Sequence, residues 1–277
     1  MRKIKVSPIE QIVVHLILII WLLISVIPFV WMLSTSFKGP GEIFIFPPRW
    51  IPKNPTLKNY KDLFQQMNFG RPFLNSIIVS LSTTFLSVLL ATMAGYGFAK
   101  FQFKNKNALF LLILGTVMVP GQITMIPVFL LLTKLNLLNT YWGLILPALA
   151  NAFNIFFMRQ FISGIPDELI EAAKMDGANE GWIFFKVILP LSKPAMAAIT
   201  IFTFTGSWNN FLWPLIIATD ESMYTLPVAV SVLGGQYTEN IAMQMAGSVI
   251  VILPLIVVFL FTQKYFIKGI TFTGLKG

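Results

Sequence analysis

The chain has no cysteine, a single histidine and few acidic residues. Its 277 residues include 20 lysines and arginines but only 11 aspartates and glutamates. Without cysteine there is no disulfide, no thiolate metal site and no thiol nucleophile. With one histidine and no carboxylate cluster at metal-ligand spacing, the sequence also predicts no metal site and no cofactor bound by this chain.

Charge is scarce in general. Charged residues make up 11% of the chain and hydrophobic residues 56%, with a mean hydropathy of +0.77. A soluble domain carries about 25% charged residues, so this composition predicts an integral membrane protein. The net charge of +9 does not indicate a nucleic-acid partner. The bases lie mostly at the ends of apolar segments, where they set topology and meet anionic lipid headgroups.

Several kinds of chemistry are missing as well. No G-x-x-x-x-G-K-[ST] segment occurs, so the chain has no Walker phosphate loop and is not predicted to hydrolyse ATP itself. The apolar segments hold no paired carboxylate and no Ser–His dyad for hydrolysis. They also lack the midplane carboxylates and lysines that ion-coupled carriers use. An ATP-independent secondary sugar carrier nevertheless stays open as the alternative function.

Six apolar stretches without Asp, Glu, Lys or Arg are long enough to cross a bilayer, which takes about 20 residues. They are residues 12–33, 73–99, 108–132, 141–158, 194–218 and 243–262. The sequence therefore predicts an all-α membrane protein with six transmembrane helices. With the N-terminus inside, thirteen of the 20 bases flank inner ends and seven flank outer ends. That asymmetry puts both termini in the cytoplasm.

The same pattern divides the chain. We expect a cytoplasmic N-terminal segment (1–11), a first helix (12–33) with an extracytoplasmic loop (34–72), a membrane core (73–266) and a cytoplasmic tail (267–277). A cytoplasmic loop over 159–193 lies within the core.

That loop contains the stretch EAAKMDGANEGWIFFKVILP, residues 171–190. It reads as two short helices with a glycine break. Pro166 suits the first turn of the first helix and Gly177 can end it in a left-handed conformation. Asn179 can cap the second helix and Pro190 limits it. Such a polar helix pair is either a docking surface for a soluble partner or an ordinary interhelical loop.

The stretch resembles the EAA signature of ABC-importer permeases, with Val187 where the pattern usually has Ile. We refer to residues 171–190 as the EAA segment. The resemblance implies the fold of type I importers, in the carbohydrate (maltose-type) branch, in a bacterial or archaeal cytoplasmic membrane. The implied partners are a second permease subunit, two ATPase subunits that bind ATP and Mg, and an extracytoplasmic sugar-binding protein. The residues implied in ATPase coupling are Glu171, Ala172, Ala173, Asp176, Gly177 and Pro190.

Three other segments extend the resemblance to sugar permeases: AGYGFAKF (94–101), WNNFLWPL (208–215) and the tail after Lys268. In the second, Trp faces and amides suit sugar rings and hydroxyls. A substrate pathway there and a set of polar interhelical contacts with an aromatic belt both remain open. The implied pathway residues are Trp208, Asn209, Asn210 and Trp213. The resemblance also implies binding-protein contacts at Gly234, Gly235 and Gln236, and ATPase contacts of the tail at Gly274 and Lys276.

Two further features concern individual spans. Pro120–Gly121 and Pro127 should break the backbone ladder of the third span, as a pathway-lining kink or a packing kink. His15 lies in the first span without an acidic partner, so we expect a structural role rather than proton relay.

Overall fold

The computed structural model describes residues 7–66, 68–236 and 240–273, and all regular elements within these ranges are helical. The α-helices are α1 (Pro8–Ser36), α2 (Lys58–Gln66), α3 (Gly70–Lys100), α4 (Lys106–Thr116), α5 (Gly121–Lys134), α6 (Tyr141–Ile145), α7 (Ala152–Ser163), α8 (Asp167–Met175), α9 (Glu180–Ile183), α10 (Leu189–Leu191), α11 (Lys193–Trp208), α12 (Leu212–Ile217), α13 (Leu226–Gln236) and α14 (Ile241–Thr273). A π-helical turn, Phe184–Ile188, joins α9 to α10.

Three described helices are long and apolar enough to cross a membrane unaided: α1, α3 and the Ile241–Phe261 part of α14. Three bent pairs pass the same test together, namely α4 with α5 (98°), Tyr141–Ala148 with α7 (49°), and Glu180–Leu191 with α11 (76°). Counting each pair as one crossing gives up to six, the number that the sequence predicts. The third pair differs from the predicted fifth span, 194–218, because it includes residues 180–191 of the predicted cytoplasmic loop and ends at Trp208.

The observed helix breaks differ from the predicted ones in the third and fifth spans. The third span does break before Pro120–Gly121, but Pro127 lies inside the continuous helix α5 and does not break it. The predicted fifth span, 194–218, is also interrupted, because α11 ends at Trp208 and α12 begins at Leu212. In α1, the Nδ1–H of His15 donates to the Gln11 carbonyl at 2.6 Å, a local backbone contact in keeping with a structural role.

The contacts divide the chain into two units, and the first comprises residues 1–68 and 230–252. Within it, the loop after α1 folds onto the end of that helix. Trp50 meets Trp31 edge to face at 5.2 Å, and the Lys38 ammonium lies 3.7 Å from the centroid of the Trp31 ring. Lys38 is fully buried, and burial lowers its pKa. Asn59 Nδ2 donates to the carbonyls of Ser36 and Lys38, both at 2.8 Å, so this loop is an ordered cap.

The second unit comprises residues 69–229 and 253–277, and α3 is its central helix. α3 packs against α7 and α11. The face it turns inward is rich in small polar residues, including the buried Ser80, Thr83 and Ser87. Such residues let helix backbones approach closely in a membrane. The contact is close at Gly95, where an added Cβ would lie 2.7 Å from Met158 Cβ and 2.9 Å from the Arg159 backbone nitrogen.

We expect Gly95→Ala to destabilise the second unit by about 1–3 kcal/mol, the usual cost of overpacking, because the α7 backbone cannot yield as a flexible side chain would. Gly97→Ala is the matched control, two residues away in the same helix, where no described atom lies within 4 Å of an added Cβ. Thermal unfolding of the purified chain in detergent measures both. Equal melting temperatures for the two variants would contradict the close α3–α7 contact.

Candidate functional site

The EAA segment begins on α8, whose ends are set by local sequence signals. Asp167 and Glu168 occupy its first turn, where carboxylates complement the positive end of the helix dipole. Pro166 precedes the helix rather than lying in its first turn. At the other end Gly177 has φ +81°, and the N–H groups of Gly177 and Ala178 donate to the carbonyls of Lys174 and Ala173, both at 3.0 Å. This is a Schellman motif, which favours glycine. The predicted glycine break is therefore confirmed.

The second helical part begins as predicted but ends differently. Asn179 Oδ1 accepts from the Trp182 N–H at 2.8 Å, which confirms the predicted cap. Pro190, however, lies inside the last turn, which runs on to Leu191. A proline ring normally clashes with the carbonyl four residues earlier. Here the Leu189 N–H donates five residues back, to Phe184, and this widened π turn accommodates Pro190. The bend comes after Leu191 instead.

The inward side of the EAA segment packs into the core of the second unit. Ala173 is 8% exposed, and Ile183 and Ile188 are fully buried. They share one cluster with Met158 of α7 and Ile199 of α11. The small side chain of Ala173 thus permits close approach of α8 to the core of the second unit.

Polar contacts tie the segment to the end of α3. The Lys100 ammonium donates to Asp167 Oδ1 at 2.6 Å and to the Ile165 carbonyl at 2.5 Å. The Tyr96 hydroxyl donates to Glu180 Oε2 at 2.9 Å, and Lys174 pairs with Glu180 Oε1 at 2.7 Å. Sequence reasoning missed these ties, because Tyr96 and Glu180 are 84 positions apart. Tyr96 therefore holds the EAA segment to α3, and Lys100 holds the start of α8, from which the segment continues, to the same end of α3.

The opposite side of the EAA segment is open. Glu171, Ala172, Asp176 and Gly177 are all exposed. Glu171 borders a groove of about 250 Å³ whose wall also includes charged side chains of both signs.

Apolar side chains accompany these residues on the surface. Met175 is 88% exposed, Trp182 50% and Leu169 45%. Exposed Met and Trp are typical of surfaces that bind another protein. The sequence could have revealed two of these exposed side chains. Ile170 and Ala173, three residues apart, define the inward face of α8, and Leu169 and Met175 do not lie on that face. The exposed face thus has the composition of a docking surface.

The predicted pathway residues fall into two groups. Trp208 is 1% exposed, with its ring stacked on Phe204 at a centroid distance of 5.8 Å and edge to face with Phe73 at 6.2 Å. Asn209 is exposed and Asn210 partly so, at the break between α11 and α12. The Trp213 indole N–H donates to the Gly143 carbonyl at 3.2 Å. Asn210 Oδ1 accepts from the Trp213 backbone N–H at 3.3 Å, so Asn209 is the residue of this set whose side chain is exposed at the break.

A buried polar contact lies one and a half turns before this break. Asn154 Nδ2 donates to Thr203 Oγ1 at 2.9 Å and lies 3.4 Å from Ser87 Oγ. This joins α7, α11 and α3. Thr203 thus belongs to the polar interhelical contacts, one of the two interpretations of the fifth span.

The other predicted contact residues are placed only in part. Gly234, Gly235 and Gln236 form the end of α13, so the glycine pair does not interrupt that helix. Gly274 and Lys276 lie outside the described residues.

Comparison with known proteins adds independent findings. Residues 87–272 match the family described as "Binding-protein-dependent transport system inner membrane component". The arabinooligosaccharides transport system permease protein AraQ of Halalkalibacterium halodurans is 40% identical over 261 residues, 92% of this chain and 92% of the relative. The protein of that name from Bacillus subtilis is 44% identical over 227 residues, 82% of this chain and 81% of the relative.

A solved structure has the same fold. It is a bacterial ABC transporter involved in the import of the acidic polysaccharide alginate, and one of its chains superposes with a TM-score of 0.80 at 28% identity. The match covers 94% of this chain and 99% of that chain. The predicted six-span helical fold is therefore confirmed.

Proposed function

The chain belongs to the family of binding-protein-dependent transport system inner membrane components, and we propose that it is the permease subunit of an ABC importer for a sugar or oligosaccharide. The observation that carries the proposal is the EAA segment. It is an ordered helix pair with a buried side fixed to the core and an exposed side of Glu171, Ala172, Asp176 and Gly177.

The segment would couple ATP hydrolysis to transport by passing the movement of the ATPase to the transmembrane helices. A separate ATPase subunit docks on the exposed side, and Met175 and Trp182 add apolar area to that contact. Movement of the ATPase then displaces the segment. Tyr96 holds the segment to the end of α3, and Lys100 holds the start of α8 there. The displacement therefore passes to the central helix and alternates the access of the pathway. Pro190 lies in the last turn of the segment, directly after the π turn. Together they set the geometry of the segment.

We infer the class of transported molecule, a sugar or oligosaccharide, from the relatives. Both AraQ proteins are named for arabinooligosaccharide transport, and the solved neighbour for alginate import. The amides of Asn209 and Asn210 suit hydroxyl-rich ligands, since an amide both donates and accepts hydrogen bonds. We assign these two residues to the pathway and treat Trp208 and Trp213 as the aromatic frame that positions them.

The remaining partners complete the importer. It contains a second permease subunit, most naturally a different chain, and two ATPase subunits that carry ATP and Mg. A sugar-binding protein outside the membrane contacts the chain at Gly234, Gly235 and Gln236, and the tail reaches the ATPase with Gly274 and Lys276. The ATP-independent carrier gains no support, because the relatives are permeases of ABC transport systems.

A tagged pull-down from native membranes tests the proposal. We expect a second permease-like chain and two copies of an ATPase to co-purify, and sugar uptake into vesicles to require ATP. Alteration of the exposed EAA residues should release the ATPase while the permease pair persists. Recovery of the chain alone in gentle detergent, with uptake that collapses with the ion gradient, would instead favour the carrier.

A further inference from the structure

A second cytoplasmic cavity adjoins the groove at Glu171, and Gln102 lines both. It has a volume of about 430 Å³ and opens where the loop after α3 meets the start of α4 and the end of α7. Its charged wall residues are Lys106 and Arg159, and the amides of Gln102, Asn105 and Asn107 surround them. Among the described residues, no acidic side chain lines it, whereas Asp167, Glu171 and Glu180 all line the neighbouring groove.

Both cations are held in position by the protein. Lys106 Nζ donates to the Phe101 carbonyl at 2.8 Å and to the Ala99 carbonyl at 3.5 Å. Arg159 Nε donates to the Phe98 carbonyl at 3.3 Å. The guanidinium carbon of Arg159 also lies 3.9 Å from the centroid of the Phe110 ring. An ammonium has three N–H donors and a guanidinium five, so each group keeps donors beyond these contacts. The cavity therefore presents two preorganised positive charges and several amide donors, a set that fits a phosphate group.

The surface beside the cavity is apolar and suits hydrocarbon. Ala108 of α4 lines the cavity, and the residues three and four positions later, Leu111 and Leu112, are 65% and 69% exposed. Residues at these spacings lie on one face of a helix. A polar headgroup in the cavity would therefore have its acyl chains along this face of α4, at the inner end of the third span.

From this arrangement we propose that the cavity binds the phosphate of an anionic phospholipid of the inner leaflet. Basic cavities at the cytoplasmic ends of transmembrane helices bind such headgroups by the same combination of charge and adjoining apolar surface. The lipid would brace the junction of α3, α4 and α7, next to the groove that Glu171 and Glu180 of the EAA segment line. The proposal is independent of ATPase docking and of the cargo.

The test uses the full-length tagged chain with its co-purifying subunits in mild detergent. It is titrated with fluorescent phosphatidylglycerol, with phosphatidylcholine and with inorganic phosphate as competitor. We expect phosphatidylglycerol to bind more tightly than phosphatidylcholine. Lys106→Gln should weaken it about fivefold, the effect of one basic residue near an anionic lipid. Lys106→Arg, which keeps the charge, should retain binding.

Lys104→Gln is the matched control, because Lys104 carries the same charge two residues before Lys106 but does not line the cavity. Asn107→Asp is the second variant if Lys106→Gln fails to fold. A carboxylate in the first turn of α4 is compatible with the helix dipole but repels phosphate, so this variant should fold and bind the lipid more weakly. Equal losses for the Lys104 and Lys106 variants, or equal binding of the two lipids, would overturn the proposal. Displacement of the lipid by equimolar inorganic phosphate would assign the cavity to a soluble phosphate and overturn the lipid source.

Discussion

Gly177→Asp is expected to remove most ATP-dependent uptake while the protein still inserts in the membrane. Gly177 has φ +81°, a left-handed conformation that costs about 1–2 kcal/mol for most residues with a side chain and less for Asp, which adopts it occasionally. A cost of about 1 kcal/mol corresponds to about a fivefold shift in an equilibrium. In the variant the Schellman motif is strained, so α8 and α9 lose the angle that forms the exposed side. The added carboxylate also lies beside the exposed Asp176. Uptake and ATPase activity of reconstituted vesicles measure the effect.

Two controls separate backbone strain from charge. Gly181→Asp adds the same carboxylate to the same segment, but an added Cβ there meets only Asn179 Oδ1, at an ordinary 3.5 Å. Gly177→Asn keeps the position neutral with the residue that best tolerates left-handed φ. We expect both to retain more uptake than Gly177→Asp. Normal uptake by Gly177→Asp would remove Gly177 from the coupling role, and equal loss in both aspartate variants would assign the effect to charge alone.

Trp208→Ala is expected to lower the stability of the protein, whereas Asn209→Ala is expected to change sugar uptake, although the two residues are adjacent. Trp208 is 1% exposed between Phe204 and Phe73. Its truncation should therefore leave a cavity and cost about 3–5 kcal/mol of stability. Asn209 is exposed at the break after α11, so Asn209→Ala should leave stability unchanged and alter the rate or the sugar preference of uptake. Thermal unfolding and uptake of a sugar panel distinguish the two outcomes.

Trp208→Phe is the matched control for the first variant, since a smaller ring can still stack on Phe204. It should recover most of the stability that Trp208→Ala loses. A fully stable Trp208→Ala with altered sugar preference would return the indole to the pathway. Uptake of every tested sugar at the wild-type rate by Asn209→Ala would remove the amide from it.

Several features of this fold were predictable because their causes are local. Long apolar runs without charge predict crossings at any position in the chain, since hydrocarbon does not tolerate unpaired charge. The glycine break at Gly177 and the cap at Asn179 depend on residues within a few positions, and both form as the sequence indicates.

The errors occur where a residue's effect depends on its surroundings. Pro127 lies in a continuous helix and Pro190 in a turn widened by the π geometry before it. A proline can thus be accommodated by its neighbours, and the sequence does not reveal when. Trp208 stays a predicted pathway residue, and the sequence does not reveal that Phe73, from a helix remote in sequence, packs edge to face against it.

By itself, the sequence determined the class of the molecule, its number of crossings, its orientation and the local form of the EAA segment. Only the tertiary structure decided which side of that segment is exposed. It also showed that Tyr96 holds the segment, and Lys100 the start of α8, to α3. It further showed that Lys106 and Arg159 line one cavity, with no carboxylate among its described wall residues. The reason is physical. Hydropathy and capping act over a few residues, whereas burial and charge pairing depend on side chains that the fold brings together from distant parts of the chain.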